Sequence, residues 1–204
     1  MSVDKRTIRQ AMREKRRGLS VEEAAAAGVA IWEALRAFRP YQEARSLLGY
    51  VDHENEVPTQ PILDDAVRTG RLVYLPRAQD PVGWGRWAPG EALVAGPGGT
   101  LQPGSLTTEP PKAPAVALVP LVAWDTSGTR LGRGGGCYDK LLAQLDAMIV
   151  RVGLAYAFQQ VSMVPGDPWD IPLHVVITER GIVRCREGWG AERLGIQKGG
   201  LTLE

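Results

Sequence analysis

Cysteine and histidine are scarce in this chain of 204 residues, with two of each. The cysteines, Cys137 and Cys185, stand far apart and form no C-x-x-C spacing, which excludes a disulfide framework and a structural zinc site. Net charge is nearly absent as well: 24 basic against 23 acidic side chains leave +1, a poor match for a whole-chain nucleic-acid footprint. No apolar run approaches the roughly 20 residues of a membrane-spanning helix. The N-terminal segment is charged from Asp4 onward, where a secretory signal would be apolar, so the expected location is the cytoplasm, with no membrane partner. Two familiar phosphate loops are also missing. No G-x-x-x-x-G-K-[ST] occurs, and a dinucleotide pattern begun at Gly132 would need glycine where Cys137 stands.

What is present is enough apolar material for one substantial core, 44% of residues. A single domain over 1–186 is expected, followed by a glycine-rich polar tail at 187–204. The chain is organised around residues 118–145, LVPLVAWDTSGTRLGRGGGCYDKLLAQL. The apolar run 116–124 reads as one strand buried on both faces. A turn signal follows at 125–128. Arg130 and Arg133 then stand among Gly132, Gly134, Gly135 and Gly136, and a helical pattern carries Tyr138, Leu141, Leu142 and Leu145. Strand, glycine loop and helix together suit phosphate. Glycine lets successive backbone N–H groups approach one anion, the helix start adds unpaired donors, and arginine adds permanently charged bidentate ones. Asp139, in the first helical turn, is either a dipole-favoured acid or a Mg²⁺ ligand. The plainer reading is a glycine-rich loop with surface arginines.

Residues 3–17 hold seven basic side chains against Asp4 and Glu14, and on a helix Lys5, Arg9 and Arg13 form one cationic stripe. That stripe is either a solvated face or a reach toward a triphosphate. Ser20 to Glu23 form a capping box for a second helix, through Leu35 and Phe38 and stopped by Pro40. The run 46–51 is a short buried strand that ends in Asp52, His53, Glu54, Asn55 and Glu56, after which Thr59 opens a helix to about Val67. In open α/β sheets ligands sit beyond strand ends, which singles out Glu56. The segment 71–76 is a strand, and 77–114 a Pro/Gly/Trp-rich ribbon partly covering the site, with Trp84 and Trp87 on a short exposed strand. Residues 148–156 give a further strand and 175–185 a hairpin, with P-G-D-P-W-D at 165–170 between them. Strands alternating with helices predict a three-layer α/β domain with a mainly parallel mixed sheet.

These blocks, in this order, resemble the 5-formyltetrahydrofolate cyclo-ligases, also called 5,10-methenyltetrahydrofolate synthetases. The resemblance rests on the central block, K-x-x-x-R at Lys5 and Arg9, E-x-x-T at Glu56 and Thr59, L-P-R at 75–77, and the stretches GLAYAFQ and WDIPLHVVITE. It covers about residues 3–183 and implies the fold shared with ribose-phosphate isomerases and CoA transferases. The implied reaction is ATP-dependent: the formyl oxygen of 5-formyltetrahydrofolate takes the γ-phosphoryl group, N10 attacks, and phosphate leaves as 5,10-methenyltetrahydrofolate forms.

Carried over by position, the resemblance assigns ATP binding to Lys5, Arg9, Arg130, Leu131, Gly132, Arg133, Gly134, Gly135, Gly136, Cys137 and Tyr138. Folate binding falls to Val51, Glu56, Arg133, Gly134, Gly135, Gly136 and Cys137, and Mg²⁺ to Asp139 and Asp170. Arg130 and Arg133 are the expected catalytic residues, supplying charge to the transferring phosphoryl group. The partners are a small-molecule folate and MgATP, with no nucleic acid and a monomer or weak homo-oligomer. Cys137 stands where the family usually has tyrosine, and His174 where aspartate is common. A paralogue acting on another formyl or amide substrate is therefore the second reading. A nucleic-acid-binding protein using the basic N-terminal helix is the third. Cys137, near a helix start and arginines, could have a lowered thiol pKa, but the implied reaction needs no protein nucleophile.

Overall fold

The computed structural model describes residues 4–109 and 111–185 of the chain. Helix α1 (Lys5–Arg17) is followed by α2 (Val21–Ala37), which opens on the expected capping box. The Ser20 hydroxyl accepts from the Glu23 N–H at 3.1 Å, and the Glu23 carboxylate accepts from the Ser20 N–H at 2.8 Å. Pro40 does more than stop α2. It lies in the first turn of a separate α3 (Arg39–Glu43), where its missing N–H is no loss. Strand β1 (Ser46–Leu48), helix α4 (Gln60–Arg68), β2 (Leu72–Arg77) and β3 (Gly83–Trp87) come next, then a ribbon of β4 (Leu93–Ala95) and β5 (Leu101–Pro103). The second half supplies β6 (Ala115–Val119), β7 (Ala123–Trp124), β8 (Arg130–Leu131), α5 (Cys137–Leu142), β9 (Val150–Leu154), β10 (Val175–Thr178) and β11 (Gly181–Arg184).

Seven strands form one sheet in the order β11-β10-β9-β6-β1-β2-β3. The five from β10 to β2 run parallel, and β11 and β3 close the two edges antiparallel. The mixed, mainly parallel sheet is the one the sequence predicts. Side-chain alternation divides the core into two faces. Leu47, Val73, Leu75, Val116, Leu118 and Ile177 pack with Ile31, Leu35, Tyr41, Ile62 and Leu63 of α2, α3 and α4. Leu48, Tyr74, Ala117, Val119 and Val176 pack with Leu141 and Leu142 of α5 on the other side. A third, smaller cluster joins Ile8 and Met12 of α1 to Val122, Ala123 and Leu131, which seats α1 on the β7–β8 hairpin.

Two expectations need correction. The apolar run 116–124 is not one strand: β6 stops at Val119, and Ala123 and Trp124 pair instead with Arg130 and Leu131 in a separate ribbon. Pro120 has no N–H for the ladder, so the chain leaves the sheet there. Nor is β3 an exposed strand. Gly83, Trp84 and Gly85 are buried, and Trp84 and Trp87, an odd number of residues apart, pack into opposite faces of the core. The glycine-rich tail expected at 187–204 lies outside the described residues. Among the described residues no helix is long and apolar enough to cross a membrane.

Candidate active site

A cavity of about 260 Å³ opens beyond the carboxyl ends of β1, β2 and β6. Tyr50 and Val51 enter it just after β1, Pro76 and Ala78 come from the end of β2, and residues 120–122 follow β6. Residues 100–102 of the β4–β5 ribbon also line it, along with Lys5 and Arg9 of α1 and the glycine loop that follows β8. Of the segment 77–114, read in the sequence as a ribbon and loop partly covering the site, Ala78 and residues 100–102 line this cavity.

The loop takes the shape glycine permits. Gly134 has φ 115°, with an added Cβ 3.5 Å from the Arg9 guanidinium carbon, and Gly136 caps α5 at φ 62°. Both lie in the left-handed region where other side chains are strained. Arg9 donates through Nε to the Gly132 carbonyl at 2.8 Å, tying α1 to the loop. Arg130 is buried, with Nη2 2.6 Å from Asp139 Oδ1 and Nη1 bonded to the Ile171 carbonyl. The Ile171 N–H also donates to Asp139 Oδ1, at 3.1 Å. Arg130 thus joins β8, α5 and the 165–171 segment. Lys5 Nζ lies 2.5 Å from Asp167 Oδ2, and the Asp167 N–H donates to Asp170 Oδ2 at 2.8 Å.

Asp139 and Asp170 both line the cavity. Among the described residues, no three His, Cys, Asp or Glu side chains gather into a metal cage. Mg²⁺ ordinarily takes one or two carboxylates and completes its shell with water and substrate phosphate, so the sparse pair fits that ion. One oxygen of each carboxylate is already bonded to protein, which leaves Asp139 Oδ2 and Asp170 Oδ1 as the candidate donors.

Glu56 occupies the other part of the cavity. It is 8% exposed, with Oε1 3.4 Å from Arg133 Nη2 and 3.8 Å from Arg16 Nη1, while Oε2 accepts from the His53 N–H at 3.2 Å. Burial pushes its carboxyl above the ordinary 4.5, and the Arg133 and Arg16 guanidiniums pull it back. Thr59, which the sequence reading places at the start of α4 and in the E-x-x-T block, braces this loop. Its hydroxyl donates to the Tyr50 carbonyl at 2.7 Å, and its N–H donates to Asp52 Oδ1 at 2.9 Å. Tyr50 and Tyr138 line the same cavity, and their hydroxyls are buried with no hydrogen-bond partner among the described residues. Such groups are costly when nothing meets them. Burial, and after it the charge of Glu56, raises both phenols well above their usual range.

Every residue to which the sequence reading assigns ATP, folate or Mg²⁺ lines this one cavity: Lys5, Arg9, Val51, Glu56, the run 130–138, Asp139 and Asp170. The lowered thiol considered for Cys137 is overturned. Burial pushes it up, with Lys140 opposing and Asp139 adding to the rise. His174 is not part of the cavity; it is buried beside Arg151, whose N–H donates to its Nδ1 at 3.0 Å. Several residues escape sequence reasoning. Asp167 and Trp169 line the cavity from the P-G-D-P-W-D segment, in which the sequence reading assigns a role to Asp170 alone. Gln102 carried no signal. Its Oε1 accepts from the Ala78 N–H at 2.9 Å, which orients the amide and leaves Nε2 buried and unpartnered in the cavity wall.

A sequence model of the 5-formyltetrahydrofolate cyclo-ligase family matches residues 1–179. The 5-formyltetrahydrofolate cyclo-ligase of Mycolicibacterium smegmatis is 34% identical over 199 residues, covering 89% of this chain and 97% of its own. That of Escherichia coli K12 is 30% identical over 180 residues, covering 82% and 96%. Among solved structures, the 5,10-methenyltetrahydrofolate synthetase of Aquifex aeolicus is similar with a TM-score of 0.77 and 29% identity. That similarity covers 91% of this chain and 95% of the other.

Proposed function

Because this chain belongs to the 5-formyltetrahydrofolate cyclo-ligase family, we propose that its cavity closes 5-formyltetrahydrofolate to 5,10-methenyltetrahydrofolate at the expense of ATP, releasing ADP and phosphate. The observation that carries this reading is the joining of two chemically different ends in one cavity. One end gathers Lys5, Arg9, Arg130 and the glycine loop, and the other presents Glu56 among buried unpaired hydroxyls. Arg133 belongs to both, since it follows Gly132 in the loop and reaches Glu56 at 3.4 Å.

In this reading Lys5, Arg9 and the loop from Arg130 to Tyr138 hold the triphosphate, with backbone N–H groups and guanidiniums as donors. Val51, Glu56 and the loop residues from Arg133 to Cys137 hold the folate. Glu56 accepts from N–H groups of the ring, and the Tyr50 and Tyr138 hydroxyls meet its polar atoms. Arg130 and Arg133 stabilise the negative charge on the phosphoryl group between donor and formyl oxygen. Phosphoryl transfer asks a protein chiefly for that stabilisation and for alignment. Mg²⁺, held by Asp139 and Asp170, would supply further positive charge at the phosphates.

The residues assigned come from one chain and need no second copy, in keeping with a monomer or weak homo-oligomer that works on a small molecule in the cytoplasm. Lys5 and Arg9 of the basic N-terminal helix turn toward the cavity, which supports a nucleotide phosphate over a polynucleotide. The test is the dependence of phosphate release from MgATP on the second substrate. Release should require 5-formyltetrahydrofolate and match ring closure one for one. Release driven equally by an unrelated formamide would favour the paralogue reading.

A further inference from the structure

Arg16 is unusual for a surface helix. It belongs to the last turn of α1, where Lys15 and Arg17 are exposed, yet its side chain is only 2% exposed. A guanidinium is not buried this far without counter-charge, because its hydration is lost. The counter-charges are Glu56, 3.8 Å from Nη1, and Glu54, 3.7 Å from Nη2, while Nη2 makes no hydrogen bond. The backbone of this corner is latched too. Asn55 donates through Nδ2 to the carbonyls of Arg16 at 3.1 Å and Leu19 at 3.3 Å. Glu54 and Asn55 sit at φ 51° and 59°, a left-handed pair that non-glycine residues adopt only when the surroundings impose it. Glu56 and Arg133 line the cavity; Arg16 does not, and it stands behind Glu56.

We propose that Arg16 is a positioning residue for the folate subsite, fixing the Glu56 carboxylate from behind and supplying its second counter-charge while Lys5 and Arg9 of the same helix serve the nucleotide end. The inference rests on Glu56 being a folate contact. The groups facing Glu56 are Arg16 from α1, Arg133 from the glycine loop, His53 and Glu54 from its own loop, Tyr50 after β1, Tyr138 of α5, and Tyr156 after β9. Tyr156 donates its hydroxyl to the Glu56 carbonyl at 3.3 Å. Only the two guanidiniums oppose the burial of the carboxylate with a full permanent charge. Without Arg16 the carboxyl holds its proton to higher pH, and the ionised form that accepts from folate is lost sooner on acidification.

The experiment is equilibrium binding of 5-formyltetrahydrofolate, without nucleotide, from pH 5.5 to pH 8, on the full chain. In Arg16→Met and Arg16→Gln the acidic limb of binding should move up by about one pH unit, with affinity near neutrality lowered by up to about tenfold. Arg16→Lys, which keeps the charge, should return the limb to its parental position. MgATP affinity, measured without folate, should stay at the parental value in all three. A limb that stays in place in both neutral variants, or an equal loss of folate and MgATP binding, would overturn the proposal and leave Arg16 a purely structural residue. A parent that fails to bind the folate at any pH would remove the functional reading itself, and this inference with it.

Discussion

At Glu56 the carboxylate proposed to bind folate also carries a stability signature. Replacing it by Gln keeps the shape and removes the charge, so folate binding should weaken by about 1.5–3 kcal/mol, roughly ten- to a hundredfold, with MgATP binding unchanged. Titration calorimetry with each ligand separates the two. The sign of the stability effect follows from the raised carboxyl. The folded state holds this proton more tightly than the unfolded chain, so the contribution is fully present below 4.5 and is lost as pH rises through the folded value. The thermal midpoint of the parent relative to Glu56→Gln should therefore fall across that window; a difference that is flat or rises with pH would contradict the assignment. Cys137 makes the opposite case. Its half-buried thiol lines the cavity and is pushed up by burial, which argues against a nucleophile. Cys137→Ser should leave turnover within about severalfold of the parent, and Cys137→Tyr should keep or improve folate affinity. Loss of activity in the serine variant, with a covalent adduct in mass spectrometry, would reverse this view.

Among the elements, the glycine loop and the short α5 depend on two arginines in different ways. Arg130 is bonded to Asp139 and to the Ile171 carbonyl, in a pair with side-chain exposures of 4% and 23%. Arg130→Ala leaves Asp139 only the Ile171 N–H and should cost roughly 1–3 kcal/mol of stability as well as nucleotide affinity. Arg133, with longer contacts to Glu54 and Glu56, should lose MgATP affinity about ten- to a hundredfold as alanine, with a smaller loss of stability than Arg130→Ala. Denaturant titrations that gave both variants the same stability would refute this division. Asp139→Asn and Asp170→Asn should lower turnover steeply and recover part of it at high Mg²⁺. Full activity of both at ordinary Mg²⁺ would exclude the metal role.

Much of this was legible in the sequence because the signals are local. Gly134 and Gly136 announce left-handed backbone, Ser20 and Glu23 cap α2 within one turn, and the strands alternate their faces every residue. Other features depend on long-range contacts and were not legible. Nothing in a run of basic residues tells that Arg16 is buried while Lys15 and Arg17 are not, since that follows from where Glu54 and Glu56 arrive from another segment. Gln102 matters only because Ala78 lies across from it. The split of 116–124 was readable from Pro120, but apolar character outweighed it.

On the scale of the whole molecule, α1 spans the two ends of the cavity, with Lys5 and Arg9 at the end proposed for the nucleotide and Arg16 behind Glu56. The parallel sheet supplies the strand ends on which those parts converge. The central claim is that this single cavity joins MgATP and 5-formyltetrahydrofolate in one reaction. Ring closure creates a conjugated amidine that absorbs well to the red of its precursor, so the absorption spectrum of the folate incubated with the protein is the most direct measurement. A red-shifted band should grow only when protein and MgATP are both present, and should fail to grow with Arg133→Ala at limiting MgATP. A spectrum that does not change although both ligands bind, or a band that forms equally without ATP, would contradict the account.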